Sequence, residues 1–263
     1  MTKPFVLGFI VAVALLIVAG VGASRLQRRD AARLDVEAEE KEYQAKIVDA
    51  TPIKFGALSE KQRTHSKLYS NYRQERGGRT ISGLAAQAKG KSKIAKTIAF
   101  VGHREVLTEP ETPEVYFGEL AQASDAVIRG RIAKKVSQIT EDDSFVFTDY
   151  DVVITEVIKN NVAAPVYTSA TITVTRPGGR VLLDGIIIEA EDRSFEQLSV
   201  NNHDVVLFLL YIPETGAYKA TRDTGSFELD GSILRPPTGA AFPPGVLRGK
   251  DSFLQTIRAI SNR

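Results

Sequence analysis

Cysteine is absent from all 263 residues. That excludes a disulfide framework, a thiol nucleophile and any cysteine-ligated metal. Histidine is scarce: His65, His103 and His203 stand far apart, and none has a second histidine or a carboxylate at metal-ligand spacing on one helix. Serines are plentiful, but no G-x-S-x-G elbow is present to sharpen one into a nucleophile. Acidic side chains nearly vanish between residues 51 and 104, where twelve basic residues face only Glu60 and Glu75, a net of +10. From residue 105 onward the balance reverses to a net of −8, so the overall +2 is a cancellation.

An uncharged run long enough to cross a bilayer is found at the N-terminus, Phe5 to Ala23, behind Lys3. Nineteen such residues can just span a hydrocarbon core of roughly 30 Å. The small residues Val21-Gly22-Ala23 also offer a place for a signal peptidase to cut. A retained anchor and a cleaved signal therefore both fit, and the anchor is preferred. Arg25, Arg28 and Arg29 outweigh Lys3, which favours a cytoplasmic C-terminal part. A short N-terminal anchor more often exports the long part of a bacterial chain, and that orientation is the expectation: a single-pass protein of the bacterial inner membrane with an extracytoplasmic C-terminal domain.

Residues 1–24 are thus assigned to the transmembrane anchor or uncleaved signal. Residues 25–50 lack Gly and Pro and are rich in good helix formers, without a strict heptad, which predicts a solvated helical stalk. Residues 51–114 hold RQERGGRT and AAQAKGKSKIAK, with apolar residues too sparse to drive a core. They are expected to form a basic, partly disordered linker, serving as a tether or as an electrostatic contact to a polyanion.

From 115 the texture turns to β. A short helix, 114-EVYFGELAQAS-124, leads into 126-AVIRGRIAKKVSQI-139, where Gly130 marks a bend or a close backbone approach. The strand 145-FVFTDYDVVITEVIK-159 breaks its alternation at Val157 and Ile158, as a bulge at Thr155-Glu156 requires. Further strands are expected at 170–176, 180–190, 204–212, 217–221 and 226–235. The segment 204-DVVLFLLYI-212 is apolar on both faces and should be central. In 173-TVTRPGGRVLLDG-185, the Pro177-Gly178-Gly179 step reads as a hairpin tip that sets Arg176 beside Arg180, since no helix follows to bind a phosphate. Residues 236–263 form a Pro/Gly linker and a last helix with Phe253, Ile257 and Ile260 on one face.

The series 120-LAQASDAVIRGRI-132, 148-TDYDVVITEVIKN-160, 171-TITVTRPGG-179 and 205-VVLFLLYIPETGAYKA-220 resembles a pattern in exported bacterial proteins that carry an OB-like barrel. It is more distantly similar to the OB-type domain of metalloproteinase inhibitors and netrins. The resemblance covers roughly 115–235. It implies an all-β fold: a five-stranded OB-like Greek-key barrel with flanking helices, behind the transmembrane helix and linker. The chain departs from the pattern at Asn160-Asn161 and at Asn201-Asn202-His203-Asp204. Metalloproteinase inhibition does not carry over, because it needs an N-terminal cysteine that this chain lacks.

The carboxylates of Glu141-Asp142-Asp143 with Asp149 and Asp151, and of Glu189, Glu191 and Asp192, lack the spacing of a calcium loop. No catalytic set, metal or cofactor is expected. The expected function is a membrane-tethered, non-catalytic binding or scaffold module of the bacterial envelope, contacting a protein or an anionic polymer; nucleic acid is disfavoured, since Tyr69 and Tyr72 form no stacking platform. Candidate contact residues are Arg129, Arg131, Asp151, Arg176 and Arg180. The alternatives are a structural subunit of an envelope complex and, last, a metal-dependent hydrolase.

Overall fold

A computed structural model describes residues 37–53, 58–70, 80–99, 112–192, 195, 197–200, 203–221, 225–230, 233–235 and 249–261. Residues 1–24, the expected anchor, lie outside them. Among the described residues no helix is long and apolar enough to cross a membrane. The chain divides into two units, Met1–Val48 and Asp49–Arg263. In the first, residues 37–47 form helix α1, within the expected stalk. Gln44 donates from Nε2 to Glu40 Oε1 at 2.8 Å and Lys46 pairs with Glu42 at 3.0 Å, contacts one helical turn apart that suit a solvated helix.

The second unit corrects the expected fold class. It is not an all-β chain built on one five-stranded OB-like Greek-key barrel: helices and strands mix, and the strands form two sheets, of four and seven strands. The physical reason lies in the basic zone. That zone supplies β1 (Thr51–Pro52), α2 (Glu60–Tyr69), α3 (Ile81–Ala88) and β2 (Ile94–Ala99). The smaller sheet runs β1-β6-β7-β2, with β6 (Gly179–Leu183) and β7 (Ile186–Asp192) as its central hairpin. Both β1 and β2 join it in parallel. Asp184 and Gly185 take φ of 50° and 80°, the left-handed pair that a two-residue hairpin turn needs. Under this sheet, α3 buries Ile81, Ala85 and Ala88 against Val181, Ile188 and the Phe145-Val146 end of β4 (Val146–Lys159).

The larger sheet runs β11-β10-β8-β3-β4-β5-β9, and β8 also pairs with β9. Its members are β3 (Ala126–Ile139), β4, β5 (Thr171–Pro177), β8 (Asp204–Ile212), β9 (Ala217–Ala220), β10 (Ser226–Asp230) and β11 (Ile233–Arg235). Five of these strands therefore close on one another, β9 lying parallel to β5 and antiparallel to β8. Ile128, Ile132, Tyr150, Val152, Val174, Leu207 and Tyr218 fill the space they enclose. Gly130 lies at a register shift where Thr155 is the extra residue on β4: Arg129 faces Glu156 and Gly130 faces Ile154. A Cβ on Gly130 would stand 2.7 Å from the Val153 carbonyl oxygen, so the bend there depends on glycine.

β8 is covered on both faces. Val205, Leu207 and Leu209 point into the enclosed core, while Val206 and Phe208 meet helices outside it. Those helices are α4 (Pro113–Gln122) and α5 (Lys250–Ser261). Thr112 caps α4 by accepting from the Val115 amide at 3.3 Å, and Pro113 starts it. Phe117 of α4 stands 5.1 Å from Phe253 of α5, 5.6 Å from Phe227 of β10 and 6.3 Å from Phe208. Each such buried ring contributes about 1.5–3 kcal/mol through burial alone.

Candidate functional site

Arginine 129 and arginine 131 alternate onto the outer face of β3, two residues apart. Both are engaged by a carboxylate of the fold itself. Arg129 donates from Nε to Asp204 Oδ2 at 2.7 Å, and Arg131 from Nε to Oδ1 at 2.8 Å. One carboxylate at the start of β8 thus bridges both guanidinium groups. Burial pushes the Asp204 carboxyl up, but the hydrogen bonds from Arg131 and Arg129 outweigh it and hold the group below its ordinary value. Glu156 lies 4.0 Å from Arg129 and takes two hydrogen bonds from Arg258 of α5, at 2.6 and 2.8 Å. The Arg258 fork lowers the Glu156 carboxyl in turn. The chain Arg131–Asp204–Arg129–Glu156–Arg258 ties β3, β8, β4 and α5 together. Arg131 and Arg258, with 58% and 47% of their side chains exposed, remain open to solvent.

The other three candidates are dispersed. Asp151 is half-buried on the outer face of β4, opposite Lys134 and Thr173. Arg176 is 1% exposed. It follows Val174 onto the same face of β5, donates to Ser226 Oγ at 2.9 Å and lies 5.4 Å from the Phe195 ring centroid. Arg180 pairs instead with Glu189 at 2.6 Å and with Asp49 at 2.7 Å. Asp49 also takes Lys135 at 2.5 Å.

Arg176 and Arg180 are therefore not brought side by side, because Pro177-Gly178-Gly179 is not a hairpin tip. It is the point where the chain leaves the larger sheet at β5 and enters the smaller one at β6. Gly178 and Gly179 take φ of 83° and 143°. A Cβ on Gly179 would overlap Thr148 Oγ1 and stand 2.6 Å from Ser137 Oγ. Thr148 donates to the Gly178 carbonyl at 2.7 Å, and Gln197 holds the Pro177 carbonyl at 3.0 Å while accepting from Tyr150 at 2.7 Å.

His65 carries the weakest sequence signal of the polar groups here. It lies in α2 and is wholly buried. Its Nδ1 meets Asp149 Oδ1 at 2.8 Å and its Nε2 meets Thr215 Oγ1 at 3.0 Å. An ionised carboxylate only accepts, so Nδ1 carries the proton, and in the neutral ring Nε2 accepts from the Thr215 hydroxyl. Carboxylate, imidazole and hydroxyl stand in the order of a nucleophilic triad. The Thr215 and Gly216 amides both donate to the Ile212 carbonyl, at 3.2 and 3.0 Å, so neither faces a position where an oxyanion could form. Around His65, Lys61 donates to Thr173 Oγ1 at 2.9 Å, Glu141 N to Ser66 Oγ at 2.8 Å, and Tyr69 stacks on Phe147 at 5.9 Å. Burial raises the Tyr69 hydroxyl and pushes Tyr150 up to about 12, so both remain neutral hydrogen-bonding groups. The arrangement docks a helix.

The carboxylates near the β3–β4 turn are likewise spent locally: Asp143 accepts from the Ser82 amide at 3.1 Å, Asp142 from Ser144 Oγ at 2.7 Å, and Glu141 pairs with Arg63 at 3.4 Å. Among the described residues no group of three or more His, Asp or Glu is placed to hold a metal. A groove of about 610 Å³ lies between α4 and α5, lined by Glu114, Gly118, Gln122, Gln255, Thr256, Ala259 and Ile260. The described unit is thus a two-sheet α/β domain whose polar groups brace its own elements. The chain matches no family model and no curated protein.

Proposed function

We propose that the chain is a membrane-tethered binding or scaffold module of the bacterial envelope, without catalytic activity of its own. It is held through residues 5–23 in the inner membrane, with the unit that follows Val48 on the extracytoplasmic side, where it contacts a protein or an anionic polymer. The observation that carries this reading is the internal use of the groups with chemical potential. His65, Asp149, Arg129, Asp204, Arg180 and Glu189 are each held by partners from other elements, which rigidifies the unit and leaves its outward features to recognition. Those features are the half-open Arg131, the α4–α5 groove with Val115 47% exposed next to Glu114, and the lysines that follow α3. A short concave surface without a convergent acid and base suits a side chain of a partner better than a reaction.

The test is site-specific photo-crosslinking in intact membranes, with the photoreactive residue at position 115 or 131. A discrete adduct of constant mass from either position is the expected result. Smears indistinguishable from a probe on the Asp184-Gly185 turn, together with turnover of an envelope polymer by the purified chain, would replace the proposal with an enzyme.

A further inference from the structure

The sequence AKGKSKIAK, 88–96, places Lys89, Lys91, Lys93 and Lys96 within eight residues, and all four are exposed. The segment that carries them is not loose. The amides of Lys89, Lys91 and Ser92 donate to Ala85 and Ala88 carbonyls at 3.1, 2.8 and 2.9 Å. Gly90 adopts φ of 76°. Ser92 Oγ donates to the Ile94 carbonyl at 2.8 Å and accepts the Ile94 amide at 3.1 Å, and the Lys93 carbonyl takes the Ile187 amide at 2.9 Å. A helix end, a serine clamp and the first rung of a sheet thus fix a turn from which the lysines project.

The surrounding charge leaves this cluster positive. Glu189 on the adjoining hairpin is shared by Arg180 and Lys96. Of the hairpin's other carboxylates, Asp184 stands at its turn near Lys89 and Lys91, while Glu191 and Asp192 lie at the far end of β2, opposite Ile98 and Ala99. Among the described residues Lys89 and Lys91 form no ion pair. The type of cation matters: lysines are point charges without the bidentate fork that singles out one carboxylate or phosphate. Stretch 86–96 has no aromatic residue on which a base could stack. A rigid, convex set of point charges suits a plane of negative headgroups.

We infer that the α3–β2 turn is a docking point for anionic phospholipid, seating the folded unit on the bilayer to which the chain is tethered. The inference rests on the tethered reading above, which raises the local concentration of lipid surface around the turn. Each lysine near an anionic surface shifts the docked-to-undocked ratio by about fivefold at physiological salt, and the attraction fades within about 8 Å. Lys89 and Lys91 acting together shift it by about thirtyfold.

The absence of cysteine makes the test direct. Ala86→Cys, at an exposed position of α3, introduces the single thiol of the full chain, to be labelled with a polarity-sensitive fluorophore. The labelled chain is reconstituted into phosphatidylcholine vesicles, and into mixed phosphatidylcholine–phosphatidylglycerol vesicles, each carrying a headgroup quencher. Quenching on the anionic vesicles alone is expected, lost at high salt and lost in Lys89→Glu/Lys91→Glu/Lys93→Glu. The matched glutamine triple should lose it in part, and unchanged thermal midpoints show that the variants fold. Equal quenching on both vesicle types, or quenching that survives the charge reversal, overturns the inference. So does lysine-dependent binding of single-stranded DNA without quenching by anionic vesicles. Failure of the chain to stay with neutral vesicles defeats the tethered reading instead, while the anionic vesicles still decide the lysines.

Discussion

Two glycines at turns with positive φ separate conformation from packing. Gly185 takes φ of 80° with open space where a Cβ would be, so Gly185→Ala costs only the backbone term, about 1 kcal/mol. Gly179 sits where a Cβ would overlap Thr148 Oγ1, inside the polar clamp that turns the chain from one sheet to the other. Gly179→Ala is expected to cost about 3 kcal/mol or more, the range of overpacked cores. Urea unfolding of the two variants checks this; equal midpoints would mean that the sheet crossing is not constrained by contact. Asp204 supplies the second prediction at this scale. Its carboxyl is lowered in the folded state, so its contribution is present above the ordinary value near 4 and is lost as pH falls through the lower folded value. Asp204→Asn is expected to lose about 1.5–3 kcal/mol at neutral pH, with the gap to the parent closing below about pH 4. A gap that is constant across the acid range would assign the loss to packing.

At the scale of elements, α2 is held in an uncommon way. Its sequence EKQRTHSKLY is polar on most faces, yet His65 and Ser66 are buried and its N-terminus carries a capping box formed by Ser59 and Gln62. Hydrogen bonds to Asp149, Thr215, Thr173 and Glu141 replace the apolar stripe that usually seats a helix. His65→Ala leaves Asp149 without its imidazole and is expected to raise amide exchange across α2 by tenfold or more, with the enclosed β core unaffected. Uniform loss of protection through β3 and β8 would instead make α2 part of the global folding unit. Phe253→Ala in α5 should behave differently, costing about 3–5 kcal/mol, because it opens the Phe117–Phe208–Phe227 cluster.

The same contrast explains what could be read from the sequence. Strands β3, β4, β5 and β8 announce themselves because alternation and two-faced apolar runs reflect burial directly. The bulge at Thr155 and the close approach at Gly130 were legible for the same reason, and α4 and α5 carry apolar faces at helical spacing. α2 reads as linker because a helix seated by polar pairs has no apolar period to detect. β2, IAKTIA, is a short edge strand whose partner β7 lies some ninety residues away, so nothing local marks it. The β6–β7 turn does carry a signal, Asp184-Gly185, which divides the run 180–190 into two strands. Among the candidate site residues, sequence separates Arg129 from Arg131 by one position, but only the fold reveals Asp204 between them. Arg176 and Arg180 are separated because Pro177-Gly178-Gly179 joins two sheets instead of turning a hairpin.

For the whole molecule, charge asymmetry becomes architecture. The basic zone is not a free tether: Lys61, Arg63 and Lys96 bind it to Thr173, Glu141 and Glu189 of the acidic part. Among the described residues Lys89 and Lys91 of the turn after α3 stay outside this pairing, as does the α4–α5 groove. A tethered unit with one cationic contact and one groove would hold a partner near the bilayer without chemistry of its own. Subcellular behaviour tests that claim most directly. Intact cells expressing the full chain are converted to spheroplasts, treated with protease, and their membranes are then extracted with alkaline carbonate. The account predicts that the chain resists extraction and that residues 115–235 are digested from outside. Release by carbonate, or full protection of residues 115–235 in intact spheroplasts with digestion only after lysis, would contradict it.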